Sequence, residues 1–352
     1  MNWRLDGPGW EDKPKRGCLV TLLSAVVTLA VVGLAVLAAA WFLFSGPGPA
    51  KTETTVILRK GAGVREIAAT LDRANVVASA DLFKLAATIS GDHRRLKAGE
   101  YAFPAHASMS EVLRKMAAGE VVRHFVTVPE GKTSAMAVAI LNAEPALVGV
   151  VEVPPEGSIL PDTYEVTRGE TRAAVLQRMR AARDAVLAEL WPKRAPDLPV
   201  STPEEAIILA SIVEKETGLR AEQPQVAAIF VNRLKKGMRL EADPTIIYAG
   251  SRGEPLGRGL RASELQLDSP YNTYLVYGLP PTPIANPGRL AIQSVLNPPK
   301  SDALYFVANG TGGHAFAATY EQHQKNVQRW REIEAAKKSG KPLPPPLPAP
   351  AG

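Results

Sequence analysis

Cysteine is nearly absent from this chain of 352 residues, which contains only Cys18. The sequence after Cys18 therefore cannot form an internal disulfide, and its domains must be stabilised by apolar cores. Aromatic residues make up only 6% of the sequence, and the formal net charge of +6 is modest and dispersed. These values disfavour nucleic-acid binding, which concentrates basic residues on one face. Anionic cell-wall polymers and lipid headgroups stay open as partners.

The sequence also lacks the motifs of metalloenzymes and serine hydrolases. Its five histidines are His93, His106, His124, His314 and His323. They include no H-E-x-x-H spacing and no pairing with a cysteine, as zinc sites would require. No G-x-S-x-G motif is present either, which disfavours an α/β-hydrolase. We therefore predict neither a metal nor another cofactor.

One long hydrophobic run is present, because no charged residue lies between Cys18 and Phe44. A run of this length predicts a transmembrane helix over residues 18–44. Basic residues are frequent in the flank that precedes it, residues 1–17, and such flanks stay in the cytoplasm. The pattern predicts a single-pass protein of the bacterial cytoplasmic (inner) membrane with a cytoplasmic N-terminus and a periplasmic catalytic domain.

Residues 51–150 are predicted to form a small α+β region. Three segments there each read as a strand, a turn and a capped helix, as where Ser108 stands three residues before Glu111. The likeness of V-I-L-R-K-G-A-G-V to V-T-V-P-E-G-K-T-S indicates a weak internal repeat. No residues in this region have the spacing of a metal site or a nucleophile. The region is either a spacer or a wall-binding module.

The stretch from Glu204 to Gly237 carries the strongest indication of chemistry. Thr202, Pro203 and Glu205 form a predicted capping box at the start of a helix that is almost wholly apolar up to Glu214. A carboxyl group on such a helix is desolvated, which raises its pKa and suits a general acid. Alternatively, Glu214 and Glu216 simply begin the solvated end of a core helix.

Side chains two residues apart on a helix point about 200° apart, so Glu214 and Glu216 are not expected to share one cleft. We predict Glu214 as the acid, with Ser211 one turn back as its hydrogen-bond partner. On the helix predicted from about Gln223 to Lys236, Asn232 is either a polar helix-end residue or a partner that orients Glu214.

Residues 238–289 are poor in helical periodicity and rich in proline and tyrosine. Within S-P-Y-N-T-Y, the residues Tyr271, Asn272, Thr273 and Tyr274 combine flat apolar rings with hydrogen-bonding groups, as sugar-binding surfaces do. Packing of the loop onto the domain is the alternative. Further on, a β-hairpin is predicted around Gly310 to Gly313, with His314 as a hairpin or substrate-lining residue. A last helix over about 319–337 precedes a proline-rich tail, 338–352, predicted to be disordered.

Six ordered motifs between about Glu156 and His323 resemble the YceG-like family of endolytic murein transglycosylases. The motifs are A-S-I-V-E-K-E-T, N-R-L…G-M-R-L, A-D-P-T-I-I-Y, S-P-Y-N-T-Y, G-L-P-P-T-P-I-A-N-P-G and L-Y-F-V-A-N-G-T-G-G-H-A-F. The resemblance implies an α+β catalytic domain over 156–337, with a buried glutamate helix and a β-hairpin, and less specifically a LysM-like α+β subdomain over 51–150. It places the catalytic glutamate on Glu214 and implies that Glu241 is not essential as an acid.

The same resemblance implies cleavage of the MurNAc–GlcNAc bond inside peptidoglycan strands, leaving 1,6-anhydro-MurNAc ends. In that reaction the substrate's own 6-hydroxyl attacks, so no second carboxylate is needed. A hydrolase would need one, and Glu216, Glu241, Asp243 and Asp268 are the candidates. In addition to the residues of the S-P-Y-N-T-Y loop, the predicted substrate-binding residues are Glu216, Asn232 and His314. A non-catalytic wall-binding or division scaffold is the rival outside enzymes, and peptidoglycan synthases or division proteins are possible partners.

Overall fold

A computed structural model describes residues 16–340 and 342–347 of the chain. Most of the predicted cytoplasmic flank, 1–17, and part of the predicted tail, 338–352, lie outside these residues.

The described chain is mixed α+β, with eleven helices and six short strands. The helices are α1 (Arg16–Ser45), α2 (Val64–Arg73), α3 (Ala80–Ile89), α4 (Met109–Ala118), α5 (Ser134–Ala143), α6 (Arg172–Leu190), α7 (Pro203–Glu216), α8 (Gln223–Lys235), α9 (Asp243–Ser251), α10 (Arg289–Leu296) and α11 (Tyr320–Ser339). The strands are β1 (Thr54–Leu58), β2 (Gly99–Phe103), β3 (His124–Thr127), β4 (Thr163–Val166), β5 (Tyr305–Ala308) and β6 (His314–Ala317).

Helix α1 contains the whole hydrophobic run, residues 18–44, that the sequence analysis identified. Its segment Val20–Ser45, 26 residues long, is the one stretch among the described residues that is long and apolar enough to cross a membrane, and none of its most apolar window is buried. An apolar helix that exposes all its sides to the surroundings is typical of a membrane span.

The chain divides after Val122 into two compact units. In the first unit, β1 and β2 pair antiparallel, with Val56 opposite Tyr101. Helices α2, α3 and α4 cover this pair, and Phe83, Tyr101 and Phe103 are completely buried between them. The caps agree with the sequence patterns, since Ser79 accepts from the Leu82 amide and Ser108 from the Glu111 amide.

The division differs from the predicted end of the small region at residue 150. Strand β3 and helix α5, assigned to that region because their sequence resembles β1 and α2, belong to the second unit. The reason is long-range pairing: β3 pairs antiparallel with β4, and Val126 lies opposite Tyr164. A sequence repeat shows that two segments fold alike but does not show which partner each segment pairs with.

The core of the second unit consists of α7, α8 and α10. Ile207, Ala210 and Val213 on α7 pack with Phe230 on α8 and Ile292 on α10, and all five are completely buried. Helix α7 begins with the predicted capping box, in which Thr202 and Glu205 satisfy each other's amides. This arrangement fixes the direction of α7, whose last turn carries Glu214 and Glu216.

Two further elements frame the end of α7. The region 238–289 is not free of helix, because α9 forms where Asp243 and Pro244 supply favourable first-turn residues. The predicted hairpin is present as β5 and β6, with Ala308 opposite His314.

Candidate active site

The last turn of α7 carries two carboxylates that enter different surroundings. Both are partly buried, and the eight residues from Ala206 to Val213 before them include no exposed side chain. Ser211 was expected to hydrogen-bond Glu214. Instead its hydroxyl donates to the Ile208 carbonyl (2.7 Å) and accepts from the Ile284 amide (3.0 Å). The helix thus presents two acids to its neighbours, and only their contacts distinguish them.

Glu214 is held by hydrogen bonds on both oxygens. Gln223 Nε2 donates to Oε1 (3.2 Å), and the backbone amide of Gly288 donates to Oε2 (2.9 Å). Burial raises the pKa of Glu214, an effect opposed by the Gly288 amide and Arg220 and reinforced by Glu130. Arg220 itself is paired with Glu130 at 2.6 Å. Glu214 therefore joins the end of α7 to the starts of α8 and α10.

Glu216 instead enters a cavity of about 210 Å³. The other lining residues are Arg233, Leu240, Glu241, Asp243, Tyr274, Phe306 and His323. Oε2 of Glu216 is buried and has no hydrogen-bond partner among the described residues. Burial, with a smaller contribution from the negative charge of Asp243, raises the pKa of Glu216 to about 8 against the opposing effect of Arg233. This environment favours the protonated carboxyl group near neutral pH, and Oε2 makes no hydrogen bond within the described chain.

Asp243 and Tyr274 form a pair in the same cavity. The phenol of Tyr274 donates to Asp243 Oδ1 at 2.7 Å. Burial and this hydrogen bond to a carboxylate raise the pKa of Tyr274 well above its usual range, so the phenol keeps its proton. The bond holds the Asp243 carboxylate in place where it disfavours ionisation of Glu216.

Arg233 forms the basic side of the cavity. Its side chain is only 8% exposed, and it is paired with Glu241 at 3.1 Å. It also donates to the carbonyls of Leu304 (2.7 Å) and Leu240 (3.0 Å). Glu241 adopts a left-handed backbone conformation with φ of 50°, which is unfavourable for a residue with a side chain. Backbone strain of this kind clusters at functional sites.

His323 closes the cavity with a neutral ring. Burial and the charge of Arg233 lower the pKa of His323. Its ring stacks on Tyr305, with centroids 5.2 Å apart, and its buried Nδ1 has no hydrogen-bond partner in the described chain. Together with Glu216 Oε2, this nitrogen gives the cavity two buried polar atoms that a ligand can satisfy.

Three of the predicted substrate-binding residues are used inside the protein instead. Asn272 is completely buried and donates to the carbonyls of Leu265 and Leu267. Thr273 is also completely buried; its hydroxyl accepts from the Ala242 amide at 3.0 Å. Asn232 was expected to orient Glu214. Its amide donates to the carbonyls of Ser301 and Ala303 and so fixes the segment that leads into β5.

Tyr271 and His314 lie outside the Glu216 cavity as well. Tyr271 packs against Tyr248 (centroids 5.1 Å apart) and bonds to Thr282 (2.7 Å) at a separate cavity of about 540 Å³. His314 contacts Glu222, whose carboxylate accepts from both its amide and its Nδ1, each at 2.8 Å. Of the predicted substrate-binding residues, Glu216 and Tyr274 are the two that line the cavity.

Sequence reasoning did not assign Arg233 and His323 to the site, and it considered Glu241 and Asp243 only as alternative acids. Arg233 looked like an ordinary basic residue in the last turn of a helix. His323 lies far along the chain, on a helix with little apolar character. The one local sequence feature that indicated this part of the site was A-D-P-T, in which an aspartate begins a short helix directly after a turn. No group of three or more His, Cys, Asp or Glu side chains within residues 16–340 and 342–347 could hold a metal ion.

Comparison with known proteins adds three findings. The sequence matches the YceG-like family over residues 56–329, which include parts of both units. It is 30% identical over 327 residues to an endolytic murein transglycosylase of Streptococcus pneumoniae serotype 2 (strain D39 / NCTC 7466), covering 79% of this chain and 58% of that protein. It is 34% identical over 180 residues to the endolytic murein transglycosylase of Bacillus subtilis (strain 168), covering 51% of this chain and 49% of that protein.

A crystal structure of a YceG-like protein from Listeria monocytogenes is also similar. It has 28% sequence identity and a TM-score of 0.47, and the alignment covers 78% of this chain and 99% of that one. The chain spans between about half and three fifths of the length of the two curated relatives.

Proposed function

The chain belongs to the YceG-like family, and on that basis we propose that it is a lytic transglycosylase that cleaves inside peptidoglycan strands. The bond cleaved is the β-1,4 bond between MurNAc and GlcNAc, and the products carry 1,6-anhydro-MurNAc ends. The names of the two curated relatives support this activity. The observation that carries the proposal is the protonated, unpartnered Glu216 in an open polar cavity.

We assign the proton donor to Glu216. Glu214, the acid that the resemblance indicated, already accepts hydrogen bonds on both oxygens. A general acid must place its proton within hydrogen-bond reach of the leaving oxygen. Glu216 fits this role better, since it lines a cavity of about 210 Å³ and its Oε2 is not bound to another group of the described chain.

The proposed reaction needs one acid. Glu216 donates its proton to the glycosidic oxygen while the bond from this oxygen to C1 of MurNAc breaks. The 6-hydroxyl oxygen of the same MurNAc then bonds to C1, and its proton passes to the Glu216 carboxylate, which regenerates the acid. The N-acetyl group of the substrate stabilises the positive charge at C1 between these events. Burial, reinforced by the negative charge of Asp243 that Tyr274 holds in place, favours the protonated form of Glu216 in the resting enzyme.

A hydrolytic muramidase is the second candidate, because Asp243 gives the cavity another carboxylate. Hydrolysis needs such a group as nucleophile or base. In this structure the hydrogen bond from Tyr274 occupies Oδ1 of Asp243, which weakens its nucleophilic character. This contact favours the lytic reaction.

Helix α1 and the first unit extend the proposal to the location of the protein and its partners. Helix α1 would anchor the protein in the cytoplasmic membrane with its N-terminus in the cytoplasm and both units in the periplasm, where nascent glycan is made. The compact first unit, which has its own core, would serve as a LysM-like subdomain. A role in ending glycan elongation beside synthases or division proteins would follow from this location.

Product analysis tests the activity. The full chain in detergent micelles is incubated with purified peptidoglycan, and the fragments are identified by mass spectrometry. Anhydro ends inside the strands are expected. Reducing ends would instead indicate a hydrolase. Unchanged glycan from a folded preparation would leave the non-catalytic wall-binding scaffold as the better description.

A further inference from the structure

The first unit meets the end of the apolar helix directly. Phe44, in the last turn of α1, is partly buried and packs against the core of that unit. Helix α1 also contacts α3 and α4. If α1 crosses a membrane, as proposed above, these contacts hold α3 and α4 at the level of the lipid headgroups, which extend only several ångströms beyond the hydrocarbon.

Helix α3 exposes an apolar pair beside α1. Leu85 is 55% exposed and Ile89 is 77% exposed. They are four residues apart and so lie on one face of the helix, whereas Phe83 and Ala87 occupy the buried face. Large apolar side chains that protrude next to a membrane helix are typical of surfaces that enter the bilayer interface.

A polar depression of about 380 Å³ includes Ser90, the residue directly after Ile89, in its lining. It is lined by Phe44, Ser90, Asp92, Arg95, Ser110, Leu113, Arg114, Ala117 and Ala118. The polar lining groups are two hydroxyls, two guanidinium groups and one carboxylate, and the remaining lining side chains are apolar. The Asp92 carboxylate is 3.4 Å from Arg95, and Arg114 pairs at 2.6 Å with Glu120, which is not part of the lining.

Basic residues outnumber acidic ones around the depression. Arg95 and Arg114 are matched by their partners Asp92 and Glu120, so the excess comes from neighbouring residues. Arg94 and Lys97 are exposed in the segment that carries Arg95. Guanidinium groups bind phosphate oxygens through paired hydrogen bonds, and hydroxyl groups add further donors. A depression lined by guanidinium groups, hydroxyls and apolar side chains matches a lipid phosphate with the start of its acyl chains.

We propose that this depression binds the headgroup of an anionic phospholipid while Leu85 and Ile89 enter the acyl boundary beside α1. The two guanidinium groups hold the lipid phosphate, and the apolar wall of Phe44 and Leu113 contacts the glycerol and upper acyl carbons. The first unit is thereby bound flat to the membrane by a second attachment in addition to α1. This inference rests on the proposed membrane insertion of α1 and not on the glycan-cleaving activity.

Lipid retention tests the site. The full chain is assembled in nanodiscs with equal amounts of phosphatidylglycerol and phosphatidylcholine, then released for native mass spectrometry. Phosphatidylglycerol is expected to be retained several-fold in excess, and the double variant Arg95→Gln with Arg114→Gln to retain both lipids equally. The matched control is Arg59→Gln with Arg73→Gln, which removes the same charge from exposed residues at another depression of the first unit. Equal retention by the wild type, or an equal loss in the control, would overturn the proposal.

A second measurement tests the apolar pair without altering the arginines. In a Cys18→Ser background, Ile89→Cys carries a fluorophore, and lipids with a quencher in the upper acyl chain are added to the nanodisc. Strong quenching is expected at residue 89. The control is Ile57→Cys, since Ile57 is also an exposed apolar residue (52%) but lies on β1. Quenching at 89 no stronger than at 57 would refute insertion of α3. Resistance of the protein to extraction by alkaline carbonate separately verifies that α1 is inserted.

Discussion

Glu214 and Glu216 show how two identical side chains two residues apart acquire different properties. The helix directs them about 200° apart. One meets Gln223 and the Gly288 amide, and the other enters the cavity that contains Asp243. Burial raises the pKa of both, so a raised pKa does not by itself identify the acid. The free oxygen of Glu216 makes the distinction.

We expect Glu216→Gln to abolish glycan cleavage, because the amide preserves shape but has no acidic proton. Glu214→Gln should keep most of the cleavage activity and lower the stability by about 1–3 kcal/mol, since it disturbs hydrogen bonds to a charged acceptor. Cleavage rates and unfolding midpoints of both purified variants measure these effects. Full activity in Glu216→Gln with none in Glu214→Gln would return the role of acid to Glu214.

The pKa of Glu216 also predicts a pH dependence of stability. Its value in the folded protein, about 8, lies above the ordinary value of 4.5. The folded state therefore binds this proton more tightly than the unfolded state, and the contribution to stability is complete below pH 4.5 and lost as the pH rises through about 8. Relative to Glu216→Gln, the wild type should lose stability between about pH 5 and 8.5, measured by denaturant unfolding. Parallel curves for the two proteins would contradict the assigned pKa.

At the scale of elements, the β5–β6 hairpin depends on one buried carboxylate. Glu222 accepts from the His314 amide and Nδ1 and from Thr217. A Cβ atom at Gly313 would lie 2.3 Å from Glu222 Oε1, so a larger residue there would displace this carboxylate from its present position. Because β5 supplies Phe306 to the cavity wall, the contact between Glu222 and the hairpin positions part of the site.

We expect His314→Ala to raise KM about tenfold with a smaller loss in kcat, because the wall formed by Phe306 is displaced while Glu216 keeps its surroundings. Steady-state cleavage of a soluble glycan oligomer measures both constants. Thr311→Ala is the matched control in the same hairpin, since its hydroxyl bonds only to Asn309 nearby. A change in kcat alone would indicate a direct role for His314 in the chemistry.

Local patterns predicted the elements well, and long-range contacts limited the prediction of the site. The capping box of α7 and the hairpin depend on residues close in sequence, and both are present. Asn272 and Thr273 looked like sugar ligands because amide and hydroxyl groups serve both sugars and loop backbones. Thr273 accepts from the Ala242 amide, 31 residues away, which a single sequence does not bring next to it. Asn272 donates to Leu265 and Leu267 of its own loop, a local role that its residue type does not distinguish from sugar binding. Helix periodicity separated Glu214 from Glu216 but gave no information on which side the cavity would form.

At the scale of the whole molecule, the order of basic flank, apolar run and folded units predicts the orientation of the chain. A reporter that is active only in the cytoplasm, fused after Gly352, should stay silent in cells, whereas the same reporter fused before Met1 should be active. Fluorescence or enzymatic activity of the two fusions measures the outcome. A silent N-terminal fusion with an active C-terminal one would reverse the topology and exclude periplasmic peptidoglycan as substrate.

The three sheets of the described chain are all two-stranded. A pair of strands has little stability of its own and is held by what packs on it, whereas α7 is buried along nearly its whole length. Backbone amides of β5 and β6 should therefore exchange with deuterium through local opening, well before those of Ile207 to Val213, which require unfolding of the core. The wall that carries Phe306 would be the first part of the cavity to open, and a bound glycan oligomer should slow exchange there more than anywhere in α7. Uniform protection across both elements would show that the hairpin opens only with the whole unit.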